Sequence, residues 1–131
     1  MVIDSSALIA ILLAEPEATR LVHAITADAT RVIGAPMLVE AAAVMLVRKG
    51  PRGEIALDAL LQRLGVEVVP MSADAAALAR SAYARFGRGI GSPGVLSYAD
   101  CLSYGVAAAL GEPLLFKGDD FARTDISTAE Y

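Results

Sequence analysis

The chain is short of the residues on which several kinds of chemistry depend. Its 131 residues include no tryptophan, one cysteine (Cys101) and one histidine (His23), and only 5% are aromatic. A single cysteine excludes a disulfide framework within the chain, and one cysteine with one histidine is too small a soft-ligand set for structural zinc. Serine- or cysteine-based hydrolysis would have His23 alone for its base. Long apolar runs are missing too, since nothing approaches the ~18 uninterrupted apolar residues of a membrane span. The apolar stretch after Asp4 has no basic segment before it and no small-residue cleavage pattern after it, which argues against a secretory leader. The expectation is a soluble, cytoplasmic protein with no membrane partner.

Positive charge is also in deficit. Eleven Lys and Arg face fifteen Asp and Glu, for a net charge of −4. That balance excludes a protein that holds nucleic acid by bulk charge, but not an enzyme acting on it, which needs acids for a metal and only a local basic patch. With so few His and Cys, any catalytic metal must be held mostly by carboxylates, a donor set suited to magnesium or manganese. What the chain does have is 56% hydrophobic residues, above the usual ~45–50%. Extensive disorder is excluded, and a core of Ala, Leu, Val and Ile in one domain over 1–131 is expected.

The apolar pattern alternates in kind along the chain. Met1-Val-Ile reads as a strand ending at Asp4, and Leu8, Ile9, Leu12 and Leu13 recur at helical spacing after Ser5 and Ser6, which can cap a helix. Pro16 opens a second helix carrying Leu21, Val22 and Ile25. A β-type run over 31–35 closes at Pro36 and is followed by a helix over 37–49, then a helix with Ile55, Leu57, Leu60, Leu61 and Leu64. A strand over 66–69, a helix over 72–86, a Gly-rich loop over 87–94, a helix over 97–110 and a strand over 113–117 complete the pattern, before a short tail. Strands alternating with helices predict a parallel sheet covered by helices on both faces.

In such sheets ligands sit beyond the carboxyl ends of the strands. Asp4 ends the first strand, and Asp119 and Asp120 follow the last across one glycine. Glu40 and Asp100 lie early on otherwise apolar helices, where an unpaired buried carboxylate is costly. Each has a plain alternative: Asp4 as a helix cap, and Asp100 as a first-turn acid balancing the helix dipole. Acids gathered at one sheet edge repel one another unless a cation binds. Glu15, Glu17, Asp28, Glu54, Asp58, Asp74, Glu112 and Glu130 fall in turns or on polar helix faces and read as solvated surface.

Three segments together resemble the PIN-domain ribonucleases, and among them the VapC toxins of VapBC toxin–antitoxin pairs. They are Met1-Val-Ile-Asp4-Ser-Ser-Ala-Leu, Tyr98-Ala-Asp100-Cys-Leu-Ser-Tyr104, and Leu114-Leu-Phe-Lys-Gly-Asp119-Asp-Phe121 continuing to Thr124-Asp125-Ile126. The resemblance spans essentially the whole chain. It implies an α/β/α sandwich, a Mg2+- or Mn2+-dependent endoribonuclease, a VapB-like antitoxin as partner, and a homodimer. It also implies an acidic quartet of Asp4, Glu40, Asp100 and Asp119, with Asp120 as the other candidate for the fourth place and Asp125 as a turn residue.

The chemistry expected is metal-assisted cleavage of an RNA phosphodiester. Asp4 and Asp100 are expected to bind the metal, Glu40 to position or deprotonate the attacking water, and Asp119 to act as an outer ligand. Ser5, Ser6 and Ser97 are read either as caps or as orienters of these carboxylates. Arg80, Arg85, Arg88 and Lys117 are the expected phosphate contacts, the alternative being an ordinary exposed basic face. Tyr98 and Tyr104 are read either as rings that stack on bases or as core residues, with core packing the expectation at this spacing, and Cys101 is expected to be a small core residue. Two competing classes are a receiver-like phosphoacceptor domain, which would normally carry an adjacent acid pair after its first strand, and a catalytically silent PIN-like binding module.

Overall fold

Val2 and Ile3, both fully buried, form β1, a strand of two residues. In the computed structural model, which describes residues 1–131, this strand lies inside a four-stranded sheet. The elements run β1 (Val2–Ile3), α1 (Ser5–Leu12), α2 (Ala18–Ala27), β2 (Val32–Gly34), α3 (Ala35–Lys49), α4 (Pro51–Leu64), β3 (Glu67–Val69), α5 (Ala73–Phe86), α6 (Tyr98–Leu110) and β4 (Leu114–Leu115), then a 3-10 turn at Phe121–Arg123. Every strand pair is parallel and the order is β3-β2-β1-β4. Helices flank the sheet in a three-layer α/β/α sandwich, as expected.

The strand order sets where a site can lie. From β1 the chain winds outward through β2 to β3, then crosses to β4 on the other side of β1. The winding reverses between β1 and β4, and the crevice beyond the strands' carboxyl ends opens there. Val2 registers with Leu114 and Ile3 with Leu115, so Asp4 and the segment after Leu115 leave the sheet side by side. The Asp4 amide still donates to the Leu115 carbonyl at 2.8 Å, which holds the two exits together.

The core is a cluster of 27 buried residues, mostly Leu, Ile, Val, Ala and Met. Among its few aromatics, Phe116 and Phe121 pack with ring centroids 4.8 Å apart. Close packing of α5 on α6 is set by Gly105, where a Cβ would lie 2.3 Å from the Ala75 carbonyl oxygen.

Several boundaries differ from the sequence reading. The helix over 37–49 begins two residues earlier, with Pro36 inside its first turn, where its missing N–H costs no hydrogen bond. Gly50-Pro51 ends α3 but also starts α4 directly, again with Pro in the first turn. Arg31 is outside β2, and its guanidinium instead binds the carbonyls of Asp28 (2.8 Å) and Leu64 (2.9 Å), tying the ends of α2 and α4 to the strand. The last strand is shorter than 113–117, and the tail is not loose. Leu114 donates to the Ser127 carbonyl and Ala129 to that of Leu114, both at 2.9 Å, so the tail pairs along β4.

Candidate active site

Asp4 is the N-cap of α1 and only 4% exposed. Its Oδ2 accepts from the Ser6 amide (2.9 Å) and the Ser6 hydroxyl (2.6 Å), and its Oδ1 accepts from Ser103 on α6. Burial pushes the Asp4 carboxyl above its ordinary pKa, the charge of Asp100 adds to the shift, and the hydrogen bonds from Ser103 and Ser6 oppose it. The Ser6 hydroxyl also accepts from the Lys117 amide at 3.0 Å. One serine thus joins the exit of β1 to the exit of β4.

Asp100 is the third residue of α6 and forms a capping box with Ser97. Its Oδ2 accepts from the Ser97 amide at 2.6 Å, and its own amide donates to the Ser97 hydroxyl at 3.1 Å. The second oxygen, Oδ1, is left for another partner. Capping therefore accounts for half of each carboxylate's position without excluding a ligand role. Two helix N-termini, those of α1 and α6, turn their positive dipole ends toward these acids.

Glu40 lies in the second turn of α3 and is half-buried. The Ser5 hydroxyl donates to its Oε2 at 2.8 Å. Its carboxyl is also raised above the ordinary range, first by burial and then by the charges of Asp4 and Asp100, while the Ser5 bond lowers it. Three acids from three elements thus feel one another's charge, and no lysine or arginine is among the influences on either shifted group. They do not close into a ready cluster of three metal ligands. The donor set still fits a hard divalent cation, because Mg2+ usually takes one or two carboxylates and keeps several waters.

Asp119 and Asp120 are exposed, and neither is among the charges that act on Asp4 or Glu40. Asp120 pairs with Arg88 at 3.3 Å, and the Asp119 carbonyl accepts from the Ala122 amide in the following turn. The other basic candidates are also engaged. Arg85 pairs with Asp125, which also accepts from the Tyr104 hydroxyl at 2.7 Å, and Lys117 pairs with Glu15 and, at 3.4 Å, with Glu17. Glu15 and Glu17 are therefore not free surface acids. Of the four basic residues singled out from the sequence, Arg80 alone has no acidic partner.

Ser103 was missed by the sequence reading. Its signal was its place three residues after Asp100, which puts both on one face of the helix. Tyr104 is buried as expected, but Tyr98 is not: the residue is 73% exposed. Cys101 is buried, and burial pushes its thiol up to about 11, which leaves it unreactive.

The PIN domain family matches residues 1–127. The chain is 47% identical over 128 residues to the VapC ribonuclease Mb0640 of Mycobacterium bovis, covering 98% of this chain and 97% of that protein. It is 45% identical over 127 residues to the ribonuclease VapC of Mycolicibacterium smegmatis, covering 97% and 98%. In fold it is similar to VapC20 of Mycobacterium tuberculosis, a sarcin-ricin loop cleaving toxin, with a TM-score of 0.76 at 17% identity over 95% of each chain. It is also similar to a chain of VapBC2 from Rickettsia felis bound to a promoter DNA fragment, with a TM-score of 0.74 at 18% identity over 98% and 96%. The chain belongs to the PIN-domain family, in its VapC branch.

Proposed function

We propose that the chain is a divalent-metal-dependent endoribonuclease and the toxin of a toxin–antitoxin pair. One observation carries the chemistry: Asp4, Glu40 and Asp100 meet at the crevice between β1 and β4 with no basic side chain to neutralise them. The family supports it, since relatives that match nearly end to end are named VapC ribonucleases. Asp4 and Asp100 would hold Mg2+ or Mn2+, which when bound polarises the phosphate and makes water a stronger nucleophile. Ser103 and Ser6 fix the Asp4 carboxylate, and Ser97 fixes that of Asp100. Glu40, held at one oxygen by Ser5, orients the attacking water and takes its proton through the other. Asp119, exposed on the loop after β4, is the outer acid of the proposal.

Arg85, Arg88 and Lys117 are proposed phosphate contacts that RNA must win from Asp125, Asp120 and the Glu15–Glu17 pair. A VapB-like antitoxin is the proposed protein partner. The exposed Val47 and Ile55 on α3 and α4 are the kind of apolar surface such a partner covers. A homodimer and a cytoplasmic location are further expectations of this reading. No helix is long and apolar enough to cross a membrane.

The test is incubation of the purified chain with structured RNAs, with and without Mg2+ or Mn2+, beside an Asp100→Asn variant. Cleavage is expected only with metal and only in the parent chain. Cleavage that persists in EDTA and in the variant sinks the proposal. No cleavage under any condition, with RNA still bound, marks a silent binding module instead. Labelling by acetyl phosphate would mark a phosphoacceptor, which the lone aspartate after β1 argues against.

A further inference from the structure

Two cavities adjoin across the start of α6, with Tyr98 and Leu102 lining both. The smaller, about 260 Å3, holds Glu40 among apolar neighbours that include Pro36 and Val39. The larger, about 680 Å3, is lined by Tyr83, Ile90 and Arg80 beside a floor of alanines. Tyr98 is thus an exposed ring on the wall between the proposed cleavage site and an apolar trough, two residues before Asp100.

The chemistry of this track is uneven in a telling way. Its two tyrosines reach solvent, Tyr98 at 73% and Tyr83 at 39% exposure, and its only cation is Arg80, the basic candidate that no acid holds. Single-stranded nucleic acid is held by this combination, with bases stacked on aromatic faces and phosphate on a nearby arginine. A duplex hides its base faces and could not use the tyrosines. Building on the ribonuclease reading above, we infer that Tyr98 and Tyr83 stack unpaired nucleobases flanking the scissile phosphate, with Arg80 holding the phosphate between them. The track runs from Glu40 past Tyr98 to Arg80, so it positions RNA along the groove and selects unpaired segments. An apolar protein segment is the rival occupant, but it would make little use of a lone arginine beside two ring faces.

The absence of tryptophan makes this measurable. In a chain carrying Asp100→Asn, so that RNA is not consumed, Tyr98→Trp introduces the sole indole. In EDTA this protein is titrated with single-stranded hexaadenylate and with an abasic hexanucleotide of equal phosphate count. Quenching by hexaadenylate and none by the abasic strand is the expected result. Tyr98→Ala in the same background should weaken hexaadenylate binding about 5- to 150-fold, the range for one lost stacked base, and Tyr98→Phe should restore it. Arg80→Gln should weaken both strands alike and flatten the slope of log affinity against log salt by about 0.7. The Tyr98→Ala melting temperature should match the parent, because the residue is 73% exposed. Equal affinity for the two strands, or parental affinity in Tyr98→Ala, overturns the inference and leaves the trough to a protein partner. The readout does not involve cleavage. Base-dependent binding by a chain that never cuts RNA would refute the ribonuclease reading alone, and cutting without base-dependent binding would refute this inference alone.

Discussion

Ser103, wholly buried on α6, donates its hydroxyl proton to Asp4, 99 residues earlier in the chain. The bond spans two layers of the sandwich and fixes which way the Asp4 carboxylate faces. Replacing Ser103 with Ala leaves Oδ1 of a buried carboxylate without its donor, a loss of about 1–3 kcal/mol. The bond favours ionised Asp4, so the loss should be full at neutral pH and shrink as acid protonates the carboxyl. Urea unfolding at neutral and acidic pH measures it. An equal loss at both would mean that the hydroxyl only fills space.

Asp4→Asn should abolish cleavage and yet stabilise the metal-free protein. The folded-state pKa of Asp4 is raised, first by burial and then by Asp100, so keeping it ionised costs stability above its unfolded pKa. The amide removes that cost while one of its atoms still accepts from Ser6 and the other can donate to the Ser103 oxygen. A gain of about 0.5–2 kcal/mol is expected, as when other strained functional sites are relieved. The gain should vanish as the pH falls below both pKa values, where Asp4 is neutral in either state. Melting curves of the two proteins across pH decide it, and a less stable variant at neutral pH contradicts it.

Much of this arrangement is legible in the chain, and the exceptions have physical causes. The strands and helices follow from periodicity, and the acids at strand ends from the parallel order. The two readings of Asp4 and Asp100, cap or ligand, prove compatible because a carboxylate has two oxygens and a cap uses one. Tyr98 and Tyr104 look alike in sequence, but six residues place them about 120° apart around a helix, so one residue is buried and the other exposed. The ion pairs of Lys117, Arg85 and Arg88 join positions 32 to 102 residues apart, and no local pattern encodes them. The tail's pairing with β4 was hidden for a different reason: its own residues do not alternate.

The hold of Glu15 and Glu17 on Lys117 gives a prediction about substrate. All three side chains are about a third exposed or less, so the pairs are partly screened and add little to stability. Glu15→Gln with Glu17→Gln should change unfolding free energy by less than about 1 kcal/mol. It should tighten RNA binding several-fold, because a phosphate no longer competes with two carboxylates. The log-salt slope should steepen by about 0.7, one extra phosphate contact on a single strand. Titrations at two salt concentrations test this, and unchanged affinity would remove Lys117 from the RNA path.

Gly105 tests the packing that carries the site. A methyl group there would fall 2.3 Å from the Ala75 carbonyl oxygen and 2.8 Å from the Ala79 Cβ, both on α5. Neither neighbour has a flexible end that can swing away, so α5 and α6 must separate. Overpacking of this kind costs about 1–3 kcal/mol, although Ala is the better helix former by about 1 kcal/mol. The net expectation for Gly105→Ala is a loss of stability, read as a lower urea midpoint. Because α6 carries Asp100 and Ser103, the same shift should lower cleavage at temperatures where the protein is still folded. A stable variant with full activity would show that the α5–α6 contact yields without moving the acids.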